Sequence, residues 1–163
     1  MPPEPDHPEP DHYVTTHIHT DGPIPGPHSL LTLTSAAYSH AGVPISSFTA
    51  NVRELPGATL HPIALADWRT RAEDWLCTRR ASRPPAVAMA AYERWIGSLP
   101  GPTALVADTA RPDYLFVYWY LQRFTGRWPF VALQLDPVAN ARFPEPAVCP
   151  LSGCRTRIAE LAS

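Results

Sequence analysis

A chain of 163 residues can bury a real core as one domain, and it is too short for a (β/α)8 barrel of about 250 residues. Its 13 basic residues are all arginine, and Glu4, Asp6, Glu9 and Asp11 crowd the first twelve positions, so an acidic tail precedes a mildly basic body. Three cysteines, with no signal-peptide pattern and no apolar run of about 18 residues, set the expectation of free thiols in a soluble, cytoplasmic protein with no membrane contact.

Residues 3–12 read Pro-Glu-Pro-Asp-His twice and have no apolar side chain to bury, so residues 1–12 are expected to be a disordered tail. Order should begin at Tyr13, where Tyr-Val-Thr-Thr-His-Ile is β-rich and is closed by the Pro/Gly cluster 22–27. Residues 29–38 alternate Leu or Ala with Thr or Ser, and residues 43–52 repeat a weaker β pattern after His40-Ala41-Gly42. These predict three antiparallel, hairpin-linked strands.

After Pro56-Gly57 the period lengthens. Trp68, Ala72, Trp75 and Leu76 fall at helical spacing over 66–80, and Val87, Ala91, Trp95 and Leu99 do so over 85–99. A short apolar strand at 104–107, an aromatic helix at 112–124 and a buried strand at 130–135 follow. The order βββαβαβ predicts an α/β domain over 13–136 with a mixed five-stranded sheet. The remainder, 137–163, is expected to be irregular apart from a helical pattern at 155–161.

Three segments within this order carry a resemblance: His19-Thr20-Asp21-Gly22-Pro23-Ile24-Pro25-Gly26-Pro27-His28-Ser29-Leu30-Leu31, Leu55-Pro56-Gly57-Ala58-Thr59-Leu60-His61-Pro62, and residues 111–126. Together they resemble bacterial members of the DnaQ-like DEDD 3′–5′ exonuclease superfamily, which implies the RNase H-like fold. The family's first motif is Asp-x-Glu at the end of the first strand, followed by Thr, an Asp or Thr, and Gly. Thr20, Asp21 and Gly22 match it, but His17 and His19 occupy the two acidic positions. The second motif aligns with residues 107–113, so Asp113 retains the family's acid. The third, a histidine followed by an aspartate on a C-terminal helix, has no counterpart, because no histidine follows His61.

The resemblance implies in-line phosphodiester hydrolysis by two divalent cations held on carboxylates. Strand alternation puts residues 17 and 19 on one face, so the imidazoles can still converge on one point. Two neutral nitrogen ligands in place of two anions do not suit paired Mg²⁺, which prefers oxygen. They suit one transition metal, Zn or Mn, on His17, His19 and Asp113, or no metal at all. His-x-His also opens amidohydrolase and PHP phosphoesterase chains, but those are longer barrels with many more histidines.

Three functions follow as expectations. The first is a catalytically impaired exonuclease-like protein that retains binding of single-stranded nucleic acid or acts as an interaction module. The second is a mononuclear-metal hydrolase or phosphoesterase on His17, His19 and Asp113. The third is an active 3′–5′ exonuclease in which Asp21 or Asp136 replaces the missing acids. His28 and Arg111 are the expected phosphate contacts, and Asp113 is the expected catalytic acid. The tryptophans and tyrosines at helical spacing are read as core rather than as base-stacking platforms, and Cys149 and Cys154 as free thiols.

Overall fold

The computed structural model describes residues 8–111, 113–137 and 139–143. The N-terminal repeat up to His7, the cysteines at 149 and 154 and the helical pattern expected at 155–161 lie outside them. Within these bounds the elements are β1 (His12–Thr20), β2 (Leu30–Ser39), β3 (Pro44–Asn51), α1 (Pro62–Thr70), α2 (Ala72–Arg79), α3 (Pro85–Gly97), β4 (Thr103–Ala107), α4 (Asp113–Phe124), β5 (Ala132–Leu135) and the short α5 (Ala139–Arg142). They form one five-stranded sheet in the order β3-β2-β1-β4-β5. β1, β2 and β3 pair antiparallel, whereas β4 lies parallel to β1 and β5 parallel to β4. This is the α/β architecture with a mixed sheet that the pattern predicted.

Period-two alternation divides the side chains of β1 between two cores. Val14 and Ile18 join Leu30, Leu33 and Leu105 under α3 and α4, which contribute Met89, Tyr92, Phe116 and Tyr120. Tyr13 joins Tyr38, Val106 and Phe143 on the opposite face. β2 is buried along nearly its whole length, so the Ser and Thr alternating with its apolar residues do not face water. Ser35 instead meets the Tyr92 hydroxyl at 2.9 Å, which Thr16 of β1 also meets at 3.2 Å, as buried polar groups require. Desolvation pushes that phenol up to about 12.

Three expectations are corrected here. The helix expected over 66–80 begins earlier, at Pro62 with His61 as its N-cap, and breaks at Arg71 (φ −130°, ψ 51°) into α1 and α2. A straight helix would not turn Trp68 onto the end of β1 and Asp74, Cys77 and Thr78 inward at once. The break lets both faces bury, with the Arg71 N–H closing onto the Trp68 carbonyl at 2.9 Å. Cys77 is buried and disulfide-bonded, so the free thiol expected there is not found. Order also begins before Tyr13: Asp11 and His12 already donate their N–H groups to the Pro102 carbonyl, at 2.9 and 3.3 Å.

Candidate functional site

The site forms where the sheet opens. β1 and β4 keep register only from His12↔Thr103 to Thr15↔Val106, after which the chain leaves β4 towards α4. The carboxylate of Asp113, the first residue of α4, interacts with the backbone N–H of Ile18 beyond that register. Ligand sites in open α/β sheets sit at such carboxyl ends.

His17 and His19 point to the same side of β1, as alternation requires, and their rings meet edge to face with centroids 5.0 Å apart. His19 Nδ1 lies 2.9 Å from Thr32 Oγ1, and its ring lies beside Trp68, with centroids 5.9 Å apart. Burial, then the neighbouring His17 and Arg71, lower its pKa from 6.5 to about 4, so it is neutral at physiological pH. Burial raises the Asp113 carboxyl, against the opposing pull of Arg111 and His17. Arg111 Nε is 3.8 Å from Asp113 Oδ2.

A cleft of about 490 Å³ opens beside these groups. His19, Arg111, Asp113 and Phe116 form one side, and α1 supplies the other through His61, Ile63, Asp67, Trp68 and Arg71. Trp68 is anchored by its indole N–H to the Thr20 carbonyl at 3.0 Å, and the Arg71 guanidinium lies over its ring, 4.6 Å from the centroid. Arg71 is also paired with Asp67 and lies 3.6 Å from Asp74. His61 accepts the Ile63 N–H at Nδ1, which leaves Nε2 carrying the ring hydrogen. The cleft therefore combines apolar walls with imidazoles and with guanidiniums already balanced by carboxylates.

The other residues singled out in the sequence lie elsewhere. His28 is buried with its Nδ1 2.8 Å from the Thr59 carbonyl oxygen and its ring edge to face with His61. It packs so closely under Gly22 that a Cβ there would collide with it, and it is not a cleft residue. Asp21 is buried, accepts the Ser29 N–H and does not line the cleft. Asp136 follows β5, and its carbonyl accepts the Ala139 N–H at 3.3 Å, also outside the cleft. Among the described residues no three His, Cys, Asp or Glu side chains are grouped so as to hold a metal ion. The paired magnesium ions implied by the family resemblance do not fit this donor set of two imidazoles and one carboxylate.

The sequence places Trp68 on a helix but assigns none of the α1-wall residues His61, Ile63, Asp67, Trp68 and Arg71 to the site. The signal was present in His61-Pro62, an N-cap followed by proline at the first helical position, but the helix was sought only from residue 66.

No family model and no curated protein matches the chain. Solved structures do. Exonuclease I in a product-bound form superposes with a TM-score of 0.58 at 10% identity, covering 82% of this chain and 31% of that one. Exonuclease I from Methylocaldum szegediense gives 0.58 at 13% identity, over 80% and 29%. Escherichia coli exonuclease I in complex with a 5cy-dA13 oligonucleotide gives 0.56 at 10%, over 80% and 29%.

The chain has the exonuclease I fold. It spans under a third of the length of those proteins. The RNase H-like sheet expected from the three sequence segments is thus the sheet observed, with β1 at its centre and the carboxyl end of β1 at the cleft.

Proposed function

We propose that this chain is a nucleic-acid-binding domain of the exonuclease I fold, impaired in two-metal phosphodiester hydrolysis. The observation that carries this reading is the state of the groups at the end of β1. His19 is neutral and its Nδ1 is engaged with Thr32, while Asp113 caps Ile18 and faces Arg111. Where two-metal chemistry needs carboxylates to hold two cations, these groups satisfy one another. The cleft beside them offers apolar walls for a base and Arg111 for a phosphate. The expected ligand is a single strand, the ligand named for the E. coli relative in a complex of exonuclease I with single-stranded DNA.

The test is one experiment with two readouts on untagged protein: anisotropy of a 3′-labelled strand of about 12 nucleotides, DNA or RNA, and its trimming in Mg²⁺ or Mn²⁺. Binding without trimming is expected, weakened about tenfold by Arg111→Ala. Metal-dependent trimming abolished by Asp113→Asn would establish an active exonuclease instead. A second reading, a mononuclear hydrolase on His17, His19 and Asp113, has the edge-to-face approach of the two imidazoles behind it, but among the described residues Asp113 does not join them in a group that could hold a metal ion. That reading requires stoichiometric zinc or manganese by elemental analysis, and metal-free protein that takes up neither metal removes it.

A further inference from the structure

β3 ends the sheet on its side, and its even-numbered residues make the ladder to β2, as the Val52 N–H to Leu31 carbonyl bond at 2.9 Å shows. On the outer side the Asn51 carbonyl and the Arg53 N–H bond the N–H and carbonyl of Arg83, at 2.9 and 2.8 Å, in a parallel bridge at Val52. By the two-residue repeat, Ser47 and Thr49 also turn their N–H and C=O outward. The bridging segment does not cover them. Ala81, with φ of 47°, turns the chain away one step before it would run beside Ala50, and Pro84 ends the pairing at the other end.

An open cavity of about 370 Å³ remains along this edge, lined by Phe48, Thr49, Asn51, Arg80 and Arg83 among others. Both arginines are exposed, and among the described residues no carboxylate is paired with either. On one flank Phe48 and Trp95 form an aromatic shelf, with ring centroids 5.8 Å apart, pinned by the Trp95 N–H to Ser46 Oγ at 2.9 Å. An unpaired strand edge is a template for another strand. The occupant has to bring acid, and β3 itself, Pro-Ile-Ser-Ser-Phe-Thr-Ala-Asn, has none. Edge-to-edge pairing of two copies would therefore leave the arginines unmatched.

We propose that the outer edge of β3 binds an extended acidic peptide of another protein, which adds a strand beside Ser47 and Thr49 and sets a carboxylate between Arg80 and Arg83. Backbone pairing supplies the affinity in such strand addition, and the end charge sets direction. The probe is a blocked peptide of about eight residues, alternating valine and threonine with two glutamates at one end, added to the ¹⁵N-labelled full chain. Slowed exchange at the Ser47 and Thr49 amides is expected. Binding should weaken about tenfold when the glutamates are replaced by lysines, and the lysine peptide should be rescued by R80E with R83E. Ser47→Pro, which removes an outward N–H and leaves the β2 ladder intact, should abolish binding. If that variant fails to fold, the charge swap still decides. The proposal is overturned by an unchanged exchange rate at both amides, by equal binding of the two peptides, or by protection of both amides through self-association of the free chain.

Discussion

Asp21 and Asp113 stand at opposite ends of one stretch of physics. Burial raises both carboxyls, and each accepts a backbone N–H, Asp21 from Ser29 and Asp113 from Ile18. Their surroundings differ. Asp21 is 3% exposed within a closed network: Ser29 Oγ accepts the Leu55 N–H at 2.9 Å, and the Tyr120 hydroxyl accepts the Leu30 N–H at 2.7 Å. Asp113 keeps 17% of its side chain exposed, on the wall of a cleft and facing a guanidinium. A buried aspartate that completes a loop braces the fold, whereas one that borders solvent beside a cation can meet a ligand. Within Thr-Asp-Gly only the aspartate is thus the bracing element, since Thr20 and Gly22 on either side of it line the cleft.

The largest effect should come from breaking the brace. Asp21→Ala leaves the Ser29 N–H unsatisfied in the interior and should lower stability by about 2–4 kcal/mol in urea unfolding, without altering the affinity per folded molecule. Gly22→Ala, driven against the His28 ring, should destabilise by about 1–3 kcal/mol in the same assay.

A pH titration separates the groups by sign. The His19 pKa is lowered to about 4 from 6.5, so between these values the unfolded chain binds more protons than the folded one. Its contribution is complete above pH 6.5 and is lost as pH falls towards 4. The raised carboxyls work the other way: stability falls as pH rises from 3.8 through their elevated values. His19→Gln should therefore flatten the decline in stability between pH 6.5 and pH 4 and leave the carboxylate contribution in place, as read from urea midpoints.

The smallest stability change belongs to the solvent side. Asp113→Ala exposes the Ile18 N–H to a cleft where water can replace the carboxylate. The expected loss is about 1 kcal/mol, with faster hydrogen exchange at Ile18 as the specific readout. If Asp113→Ala destabilises as much as Asp21→Ala, the contrast between brace and site fails.

Much of the fold was readable because its signals are local. Alternation at 13–18, 29–38 and 43–52 and helical spacing at 85–99 and 112–124 each report which face of a segment meets the core, and each element formed within a few residues of its expected bounds. The break at Arg71 was not readable, since it follows from where Trp68 and Asp74 each find a place to bury. His28 illustrates the limit for the site. In sequence it is a histidine in a Gly/Pro-rich loop, open to any role, yet the loop closes back so that the ring lies under Gly22 and against His61. His61, Trp68 and Arg71 are distant from His19 in sequence and reach it only because α1 crosses the end of β1.

By itself the sequence determined the strand and helix order, the placing of His17 and His19 on one face and the position of Asp113 at the start of an aromatic helix, because these depend on periodicity and on residue identity. The tertiary structure decided which polar groups are consumed by packing and which are left facing solvent. That outcome depends on contacts between segments far apart in the chain. Here they commit Asp21 and His28 to the loop, and they leave His19, Arg111 and Asp113 at the edge of a cleft.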